Sequence, residues 1–301
     1  MWVIKYRKIF YSFSIFLVVA SLVSILVWGL KPGLDFSGGT LVDIQYEGIR
    51  PSQSDIVKAI GAIDPAASVR PSGEDAFIVR MRPVDQVEKA EVMKVLSLNG
   101  NATTTIRAFD SIGPVLGQEA LRKAIVSVIL VILGIVIFIT FAFRKVSEPV
   151  SSWKYGLTAV IALIHDVIIP IGVFSVLGHF AGYEVDTLFV TALLVILGFS
   201  VHDTIVVFDR VRENLRLSQS NKPFEEVVGE SINQTFTRSI NTSMTTLIAL
   251  LVLYFFGGSI TEHFSLALII GIAAGTYSSI FIGSPLLVTI EKWGKKKTKT
   301  L

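Results

Sequence analysis

Two histidine–aspartate pairs lie inside long apolar stretches of this sequence. His202 and Asp203 interrupt the run LFVTALLVILGFSVHDTIVVF, and His165 and Asp166 interrupt the apolar run before it. A carboxylate at the centre of a membrane costs about 2.5–3.5 kcal/mol even on lenient insertion scales, so it is generally retained for a function. The two pairs therefore predict a bundle of membrane helices with a polar interior, a feature of proteins that move ions or substrates.

The two carboxylates are the strongest candidates for chemistry. A carboxylic acid in a low dielectric favours its neutral form, and a nearby cation favours its ionised form, so the movement of one helix can switch the charge. We predict this switching for Asp203, because Ser200, His202 and Thr204 make its surroundings polar. For Asp166, a structural hydrogen bond between helices, worth about 0.6 kcal/mol on average, is an equal alternative.

Arg238 is the predicted cation for this switch. It lies at the start of the fifth apolar run, in the polar segment INQTFTRSINTSMTTL, which either packs into the bundle or lines water. An arginine at a helix end can extend inward along its own stem, so a bridge to Asp203 is feasible. The alternative is that Arg238 only anchors the helix at the membrane surface.

The histidines are weaker candidates. An unperturbed histidine titrates near pH 6.5 and could relay protons to a neighbouring acid. Adjacent residues of a helix project about 100° apart, so the two members of a pair cannot point in one direction. We therefore favour structural hydrogen bonds for His165 and His202, and retain them, with Asp166 and Asn241, as accessory polar residues.

The composition is that of an integral membrane protein. The 301 residues are 51% hydrophobic and 17% charged, with a mean hydropathy of +0.64. Five apolar runs are long enough to cross a membrane core of about 30 Å; they begin near residues 10, 124, 155, 187 and 264. A shorter sixth run, near 240–256, should also span the membrane. The first run exceeds a signal-peptide core and no A-x-A-like site follows it, so we predict an uncleaved span.

Basic residues mark every second side of the predicted membrane. The two short links GHFAGYEVD and GGSITEH contain neither Lys nor Arg. The positive-inside rule then places both termini in the cytoplasm, and six spans fit that parity. The net charge of +3 follows from these clusters and indicates no nucleic-acid partner. The clusters are Lys5, Arg7 and Lys8; Arg144, Lys145 and Lys154; Arg210, Arg212, Arg216 and Lys222; and Lys292, Lys295, Lys296, Lys297 and Lys299.

The one long polar excursion predicts a folded domain outside the cytoplasm. Strand patterns occur at TLVDIQY, SVRPS, AFIVRM and ATTTIRAFD, and helix patterns at PSQSDIVKAIGAI and VDQVEKAEVMKVLSL. The order βαββαβ is that of a ferredoxin-like α+β domain. We therefore predict a polytopic α-helical membrane protein with six transmembrane helices and this domain between helices 1 and 2. The predicted boundaries are a cytoplasmic tail and first span at 1–30, the domain with its necks at 31–120, five membrane helices at 121–292, and a basic cytoplasmic tail at 293–301.

Two glycine-bearing necks connect this domain to the membrane. GLDFSGGT follows the first span and DSIGPVLGQEALRKA precedes the second. Glycines can adopt positive φ, so the necks either form ordinary turns or act as a pivot. Their position at both ends of one domain favours the pivot, with hinge residues Gly33, Gly38, Gly39, Gly113 and Pro114.

Sequence signatures of enzymes are missing. The chain has no P-loop pattern, no HExxH and no GxSxG. It has no cysteine, which excludes disulfides, thiolate metal sites and cysteine nucleophiles. We therefore predict no enzymatic activity, no cofactor and no metal, and an ion gradient as the source of any work; these residues alone do not distinguish H⁺ from Na⁺.

Five segments in order resemble the SecF family of protein-export subunits. They are LDFSGGT, SIGPVLGQE, IHDVIIPIG, GFSVHDTIVVFDRVRENLR and SINQTFTRSINTSMTTL. The family is related to the resistance-nodulation-division transporters and has six spans and a ferredoxin-like periplasmic domain. Its members assist Sec-dependent translocation across the cytoplasmic membrane. The resemblance assigns proton conduction to Asp203 and Arg238.

The resemblance also implies partners. A second set of six spans is missing, so the chain resembles the separate subunit rather than the fused SecDF form, and a SecD-like chain should complete the proton path. The Sec translocon (SecYEG), the precursor polypeptide and the lipid bilayer are the other expected partners. Two alternatives stay open from the residues: a stand-alone proton-driven exporter of small molecules, and a structural scaffold for the translocon in which Asp203 is dispensable.

Overall fold

The computed structural model describes residues 2–143, 151–217 and 222–298. The predicted basic residues Arg144 and Lys145, and the end of the basic tail at 299–301, lie outside these ranges. The chain divides into two compact units, Pro32–Ile125 and the combination of Met1–Lys31 with Val126–Leu301. A short helix α1 (Trp2–Lys5) and the long apolar helix α2 (Arg7–Trp28) begin the chain.

The smaller unit contains the predicted α+β fold. A short helix α3 (Leu34–Ser37) precedes the elements β1 (Gly39–Tyr46), α4 (Gln53–Gly61), β2 (Ser68–Ser72), β3 (Ala76–Met81), α5 (Gln86–Leu96) and β4 (Thr104–Ile112). The strands form one antiparallel sheet in the order β2-β3-β1-β4. This confirms the βαββαβ order predicted from the alternation of strand and helix patterns.

Local sequence accounts for where the two helices of the domain begin. The Ser52 hydroxyl accepts the backbone N–H of Asp55 at the start of α4. Asp85 and Glu88 form a capping box at the start of α5. Each cap supplies partners for N–H groups that a first helical turn leaves free.

The core of the domain lies between one face of the sheet and the two helices. Alternate residues of β1 are fully buried there, among them Ile44 and Tyr46, and pack with Ile56 of α4 and Leu96 of α5. The Tyr46 hydroxyl donates to the Leu96 carbonyl at 2.9 Å. Burial raises the pKa of Tyr46 to about 12, so this hydroxyl stays a donor at neutral pH.

The two predicted necks lie side by side. Gly38 and Gly39 have φ of +70° and +122°, which glycine permits because it has no Cβ. A Cβ on Gly38 would lie 3.0 Å from the Cα of Pro114, and one on Gly117 would lie 2.9 Å from the Phe36 carbonyl oxygen. Gly33 has a φ of −72° at the start of α3, a conformation open to any residue. The two necks are therefore packed against each other at Gly38 and Gly117.

Within the described ranges, six helices are long and apolar enough to cross a membrane, which confirms the predicted number. After α2 they are α6 (Pro114–Ala142), α7 (Ser152–Phe180), α8 (Thr187–Leu217), α9 (Phe224–Phe256) and the segment Thr261–Trp293, which begins in α10 (Ser259–Ser278). A π-helical turn, Ser279–Gly283, continues α10 into α11 (Ser284–Thr298). In the larger unit α10 packs against α7, α8 and α9, and α2 packs along α7.

The fifth membrane helix begins earlier than predicted. Helix α9 starts at Phe224, so Arg238 lies about 21 Å along the helix axis and not at its beginning. Glu225 in its first turn pairs with Arg7, at 2.5 Å, and with Lys292 of α11. A carboxylate there also interacts favourably with the positive end of the helix dipole. These interactions extend α9 beyond the apolar run that marked the span in the sequence.

Candidate functional site

Asp203 is a buried carboxylate with few partners. It lies in the middle of α8 and is 3% exposed. The Ser243 hydroxyl of α9 donates to it over a long distance of 3.5 Å. A hydrogen bond of this length is near the limit of the interaction, so the carboxylate is weakly satisfied in this conformation.

Ser243 connects Asp203 to a third helix. The Thr276 hydroxyl of α10 donates to Ser243 at 2.6 Å. Each of these hydroxyls also lies within hydrogen-bonding distance of a carbonyl of its own helix, at 2.9 Å from Ser239 and 2.8 Å from Ile272. A hydroxyl has one hydrogen, so each proton has two alternative acceptors. The chain Thr276–Ser243–Asp203 can therefore rearrange without a change of side-chain position.

Asp166 has the opposite environment. It is 0% exposed and accepts hydrogen bonds from three side chains. Ser200 of α8 and Ser278 of α10 both donate to Oδ2, the latter at 2.7 Å, and Nδ1 of His165 donates to Oδ1 at 2.8 Å. Three donors satisfy this carboxylate and connect α7, α8 and α10 around it.

His165 hydrogen-bonds to Asp166 within its own pair, although the two residues project about 100° apart on the helix. Its ring stacks against Tyr277 with 6.3 Å between centroids. The second ring nitrogen, Nε2, is buried and has no hydrogen-bond partner in the part of the chain that the structure describes. The ring borders a cavity of about 400 Å³ lined mainly by apolar side chains of α2, α7 and α11. A proton leaving Nε2 would therefore meet an apolar surface.

The remaining predicted residues lie on the outside of the bundle. His202 is exposed, and it projects about 100° away from the buried Asp203. Arg238 and Asn241 are exposed on α9. Within residues 151–217 and 222–298, Arg238 interacts electrostatically with Asp203 but forms no ion pair with it; the buried face of α9 carries Ser243 instead.

The exposed polar residues of α9 form a stripe. Arg238, Asn241, Thr242 and Thr245 follow the spacing i, i+3, i+4, i+7, which places them on one face of the helix. We call this the α9 polar stripe. A polar face on a helix that crosses a membrane requires a polar partner or water, because lipid supplies no hydrogen bonds.

Sequence reasoning missed the contribution of the last span. Thr276 and Ser278 lie in the segment GTYSSIFIGS, whose small and hydroxylated residues are a signal for close helix contact. A Cβ on Gly275 would lie 3.1 Å from the Cβ of Ser200, and one on Gly271 would meet the Ile196 side chain. Helices α8 and α10 therefore cross closely beside both carboxylates.

Comparisons with known proteins identify the family of this chain. The family model "SecD/SecF GG Motif" matches residues 23–48, and "Protein export membrane protein SecD/SecF, C-terminal" matches residues 92–293. The chain is 44% identical to a protein translocase subunit SecF of Thermobaculum terrenum over 96% of this chain and 93% of that one. It is 34% identical to the SecF of Escherichia coli O157:H7, over 97% and 87%.

Solved structures show the same fold. SecDF of Thermus thermophilus, described as a translocon-associated membrane protein, superimposes with a TM-score of 0.79 and 30% identity. A structure of SecDF in a super-membrane-facing form gives a TM-score of 0.70 at 29% identity. The first superposition covers 96% of this chain but only 38% of the longer SecDF chain.

Proposed function

We propose that this chain, which belongs to the SecF branch of the SecD/SecF family, uses the proton gradient to assist Sec protein export. The members of this family are transport proteins that assist such export. In this proposal Asp203 takes up and releases a proton during each cycle. The precursor polypeptide is drawn forward at a late stage, on the extracytoplasmic side of the membrane. Both termini lie in the cytoplasm, and the α+β domain lies on the opposite side of the cytoplasmic membrane.

The weakly satisfied Asp203 is the observation that carries the proposal. A buried ionised carboxylate requires hydrogen bonds or a cation, and Asp203 has one long hydrogen bond in this conformation. The neutral acid fits the observed surroundings better than the anion does. Ionisation would favour a second conformation, in which Ser243 donates fully to Asp203 and α9 brings Arg238 closer.

The energy available is sufficient for such a change. One elementary charge crossing the membrane potential supplies about 2.3 kcal/mol per 100 mV. This shifts a two-state equilibrium more than tenfold if Asp203 is protonated in one state and releases its proton in the other. We propose that the two packed necks, with hinge residues Gly33, Gly38, Gly39, Gly113 and Pro114, transmit this change to the domain.

The α9 polar stripe supports a SecD-like partner. Arg238 and Asn241 face away from the bundle of this chain, on a helix that is long and apolar enough to span a membrane. Polar side chains in such a position are stabilised by hydrogen bonds from another polypeptide or by a water-filled path. We propose that SecD covers this stripe and supplies the other half of the proton path, and that the pair associates with the Sec translocon.

The test is translocation by the SecD–SecF complex under an imposed proton gradient. Asp203→Asn keeps the shape of the side chain and removes its titration, so gradient-stimulated translocation should fall to the unstimulated rate. Arg238→Lys keeps the charge but loses the planar guanidinium, and should reduce stimulation more than loss of a simple anchor would. Asp209→Asn, which neutralises an exposed acid of the same helix, is the matched control.

Each complex is first shown to be assembled by co-purification of SecD. Stimulation at the parent level in assembled Asp203→Asn complexes would contradict proton coupling through Asp203 and favour the scaffold function. Stimulation lost equally in Asp209→Asn would show that the effect is not specific to the buried acid.

A further inference from the structure

We propose that Asp166 is a positioning residue for Asp203. It holds α8 and α10 together through Ser200 and Ser278, in the register that brings Thr276 to Ser243, the donor to the Asp203 carboxylate. This inference rests on the proposed proton exchange at Asp203, but it assigns Asp166 a different task from carrying protons.

The first support is the placement of Ser200. It lies three residues before Asp203 on α8, so the two side chains share one face of the helix. Asp166 therefore fixes α8 one turn from the proton-exchanging carboxylate. Gly275 of α10 allows the closest approach of the two helices at this same point, where a Cβ would lie 3.1 Å from that of Ser200.

The second support is the double role of α10. Thr276 donates to Ser243 of α9, and Ser278, two residues later, donates to Asp166 of α7. Residues two apart on a helix project in nearly opposite directions. A rotation of α10 that broke the bond to Asp166 would therefore also move Thr276 away from Ser243.

The third support is the helix irregularity that follows Ser278. A π-helical turn begins at Ser279, and the Ser279 hydroxyl donates to the Thr276 carbonyl at 3.1 Å. π-Helical turns shift the register of a helix by one residue and often occur at functional sites. Ser278 is the last residue of the regular helix α10 before this shift, and its hydrogen bond to Asp166 fixes the helix there.

The surroundings of Asp166 fit positioning better than proton transfer. Both oxygens are already accepting hydrogen bonds, and the side chain is 0% exposed. Its titratable neighbours are His165 of α7, which donates to it, and Tyr277 of α10, which stacks on that histidine. The remaining two donors, on α8 and α10, are serine hydroxyls that do not titrate in the physiological range.

The decisive variant is Asp166→Asn. The carbonyl oxygen of an asparagine can accept both serine hydroxyls, and its amide can donate to the other tautomer of His165. If Asp166 only positions, this variant should retain at least about half of the proton flux of the SecD–SecF complex in proteoliposomes. If Asp166 carries protons, the flux should fall as far as it does in Asp203→Asn.

The second variant removes the donors. Ser200→Ala with Ser278→Ala should lower proton flux at least about fivefold and shift the pH at which flux is half-maximal by about half a unit, because Asp203 loses its ordered partners. A merely structural weakening would lower the amplitude and leave that pH unchanged. Ser265→Ala is the matched control, since this buried serine of α10 bonds only the backbone of its own helix.

A geometric measurement separates this proposal from the proposed function. Ile196→Cys and Gly271→Cys place two thiols one turn before the Ser200–Gly275 contact, in a chain without other cysteines. We expect the rate of disulfide formation to be unchanged by Asp166→Asn and to fall at least about fivefold with the double serine variant. This rate reports helix spacing whether or not Asp203 exchanges protons.

Two results would overturn the proposal. One is loss of flux in Asp166→Asn with an unchanged disulfide rate, which would make Asp166 a proton carrier. The other is a double serine variant whose disulfide rate and flux equal those of Ser265→Ala. If Asp203→Asn retained full flux, the proposed function would fail, and the disulfide rates alone would still decide the positioning role.

Discussion

Asp166 and Asp203 are both buried carboxylates on adjacent membrane helices, but their partners differ. Asp166 accepts hydrogen bonds from three side chains on three helices, whereas Asp203 accepts one at 3.5 Å. A fully satisfied carboxylate stabilises one arrangement of helices, and a weakly satisfied one gains from a rearrangement. The same residue type therefore fixes the bundle at one position and lets it move at the other.

The largest expected effect concerns Asp203, the weakly satisfied carboxylate. Ser243→Ala removes the donor that an ionised Asp203 requires, so gradient-stimulated translocation by the SecD–SecF complex should fall about tenfold. Ser239→Ala should have little effect, because the Ser239 hydroxyl, one turn earlier on the same buried face, has no partner in the described part of the chain. Equal losses in the two variants would show that any small change on this face of α9 is harmful.

A second, smaller effect concerns stability. Asp166→Leu removes three hydrogen bonds and should lower the free energy of unfolding by about 2 kcal/mol, at about 0.6 kcal/mol for each bond between membrane helices. Asp203→Leu removes one long bond and should cost less than about 0.6 kcal/mol. Unfolding of the complex in mixed detergent micelles measures both. A larger loss for Asp203→Leu would reverse the comparison.

The smallest effect concerns Glu88, a carboxylate of the α+β domain that is partly exposed to solvent. Arg82 hydrogen-bonds Glu88 at the start of α5 and so holds the pKa of Glu88 below its ordinary value. A lowered pKa in the folded state contributes stability that is present above the unfolded pKa, about 4.3, and is lost as the pH falls through the folded value. Solvent reduces this contribution, since both side chains are partly exposed.

Arg82→Ala should therefore reduce the stability of the domain at pH 6 and have a smaller effect at pH 3. Amide hydrogen exchange of β1 in the full chain, compared between variant and parent at each pH, measures this difference. Arg50→Ala is the control, because Arg50 hydrogen-bonds backbone carbonyls. A variant that differs from the parent equally at both pH values would contradict the assigned ion pair.

The fold followed from local patterns. The strand segments SVRPS and AFIVRM match β2 and β3 residue for residue, because the turns that bound them are encoded by neighbouring glycine, proline and charged residues. The six spans followed from length and hydropathy alone. The start of α9 was missed, because pairing of Glu225 with Arg7 and Lys292 depends on contacts between distant segments.

The site was only partly predictable. Asp203 and Asp166 stand out in any sequence of this hydropathy, because charge in an apolar run is rare. Their partners did not stand out, since Ser243, Thr276 and Ser278 are ordinary residues whose importance depends on the direction in which each one projects. The same dependence on side-chain direction explains the exposure of Arg238, although its neighbour Ser239 is buried.

By itself, the sequence determined which segments cross a membrane, which segment folds as an α+β domain, and which two acids lie inside apolar runs. These properties depend on hydropathy and periodicity, which act over a few neighbouring residues. Only the tertiary structure decided that Asp166 is satisfied and Asp203 is not. That difference arises where α8 and α10 cross at Gly275, because a hydrogen bond requires donor and acceptor within about 3 Å, and only helix packing sets such distances.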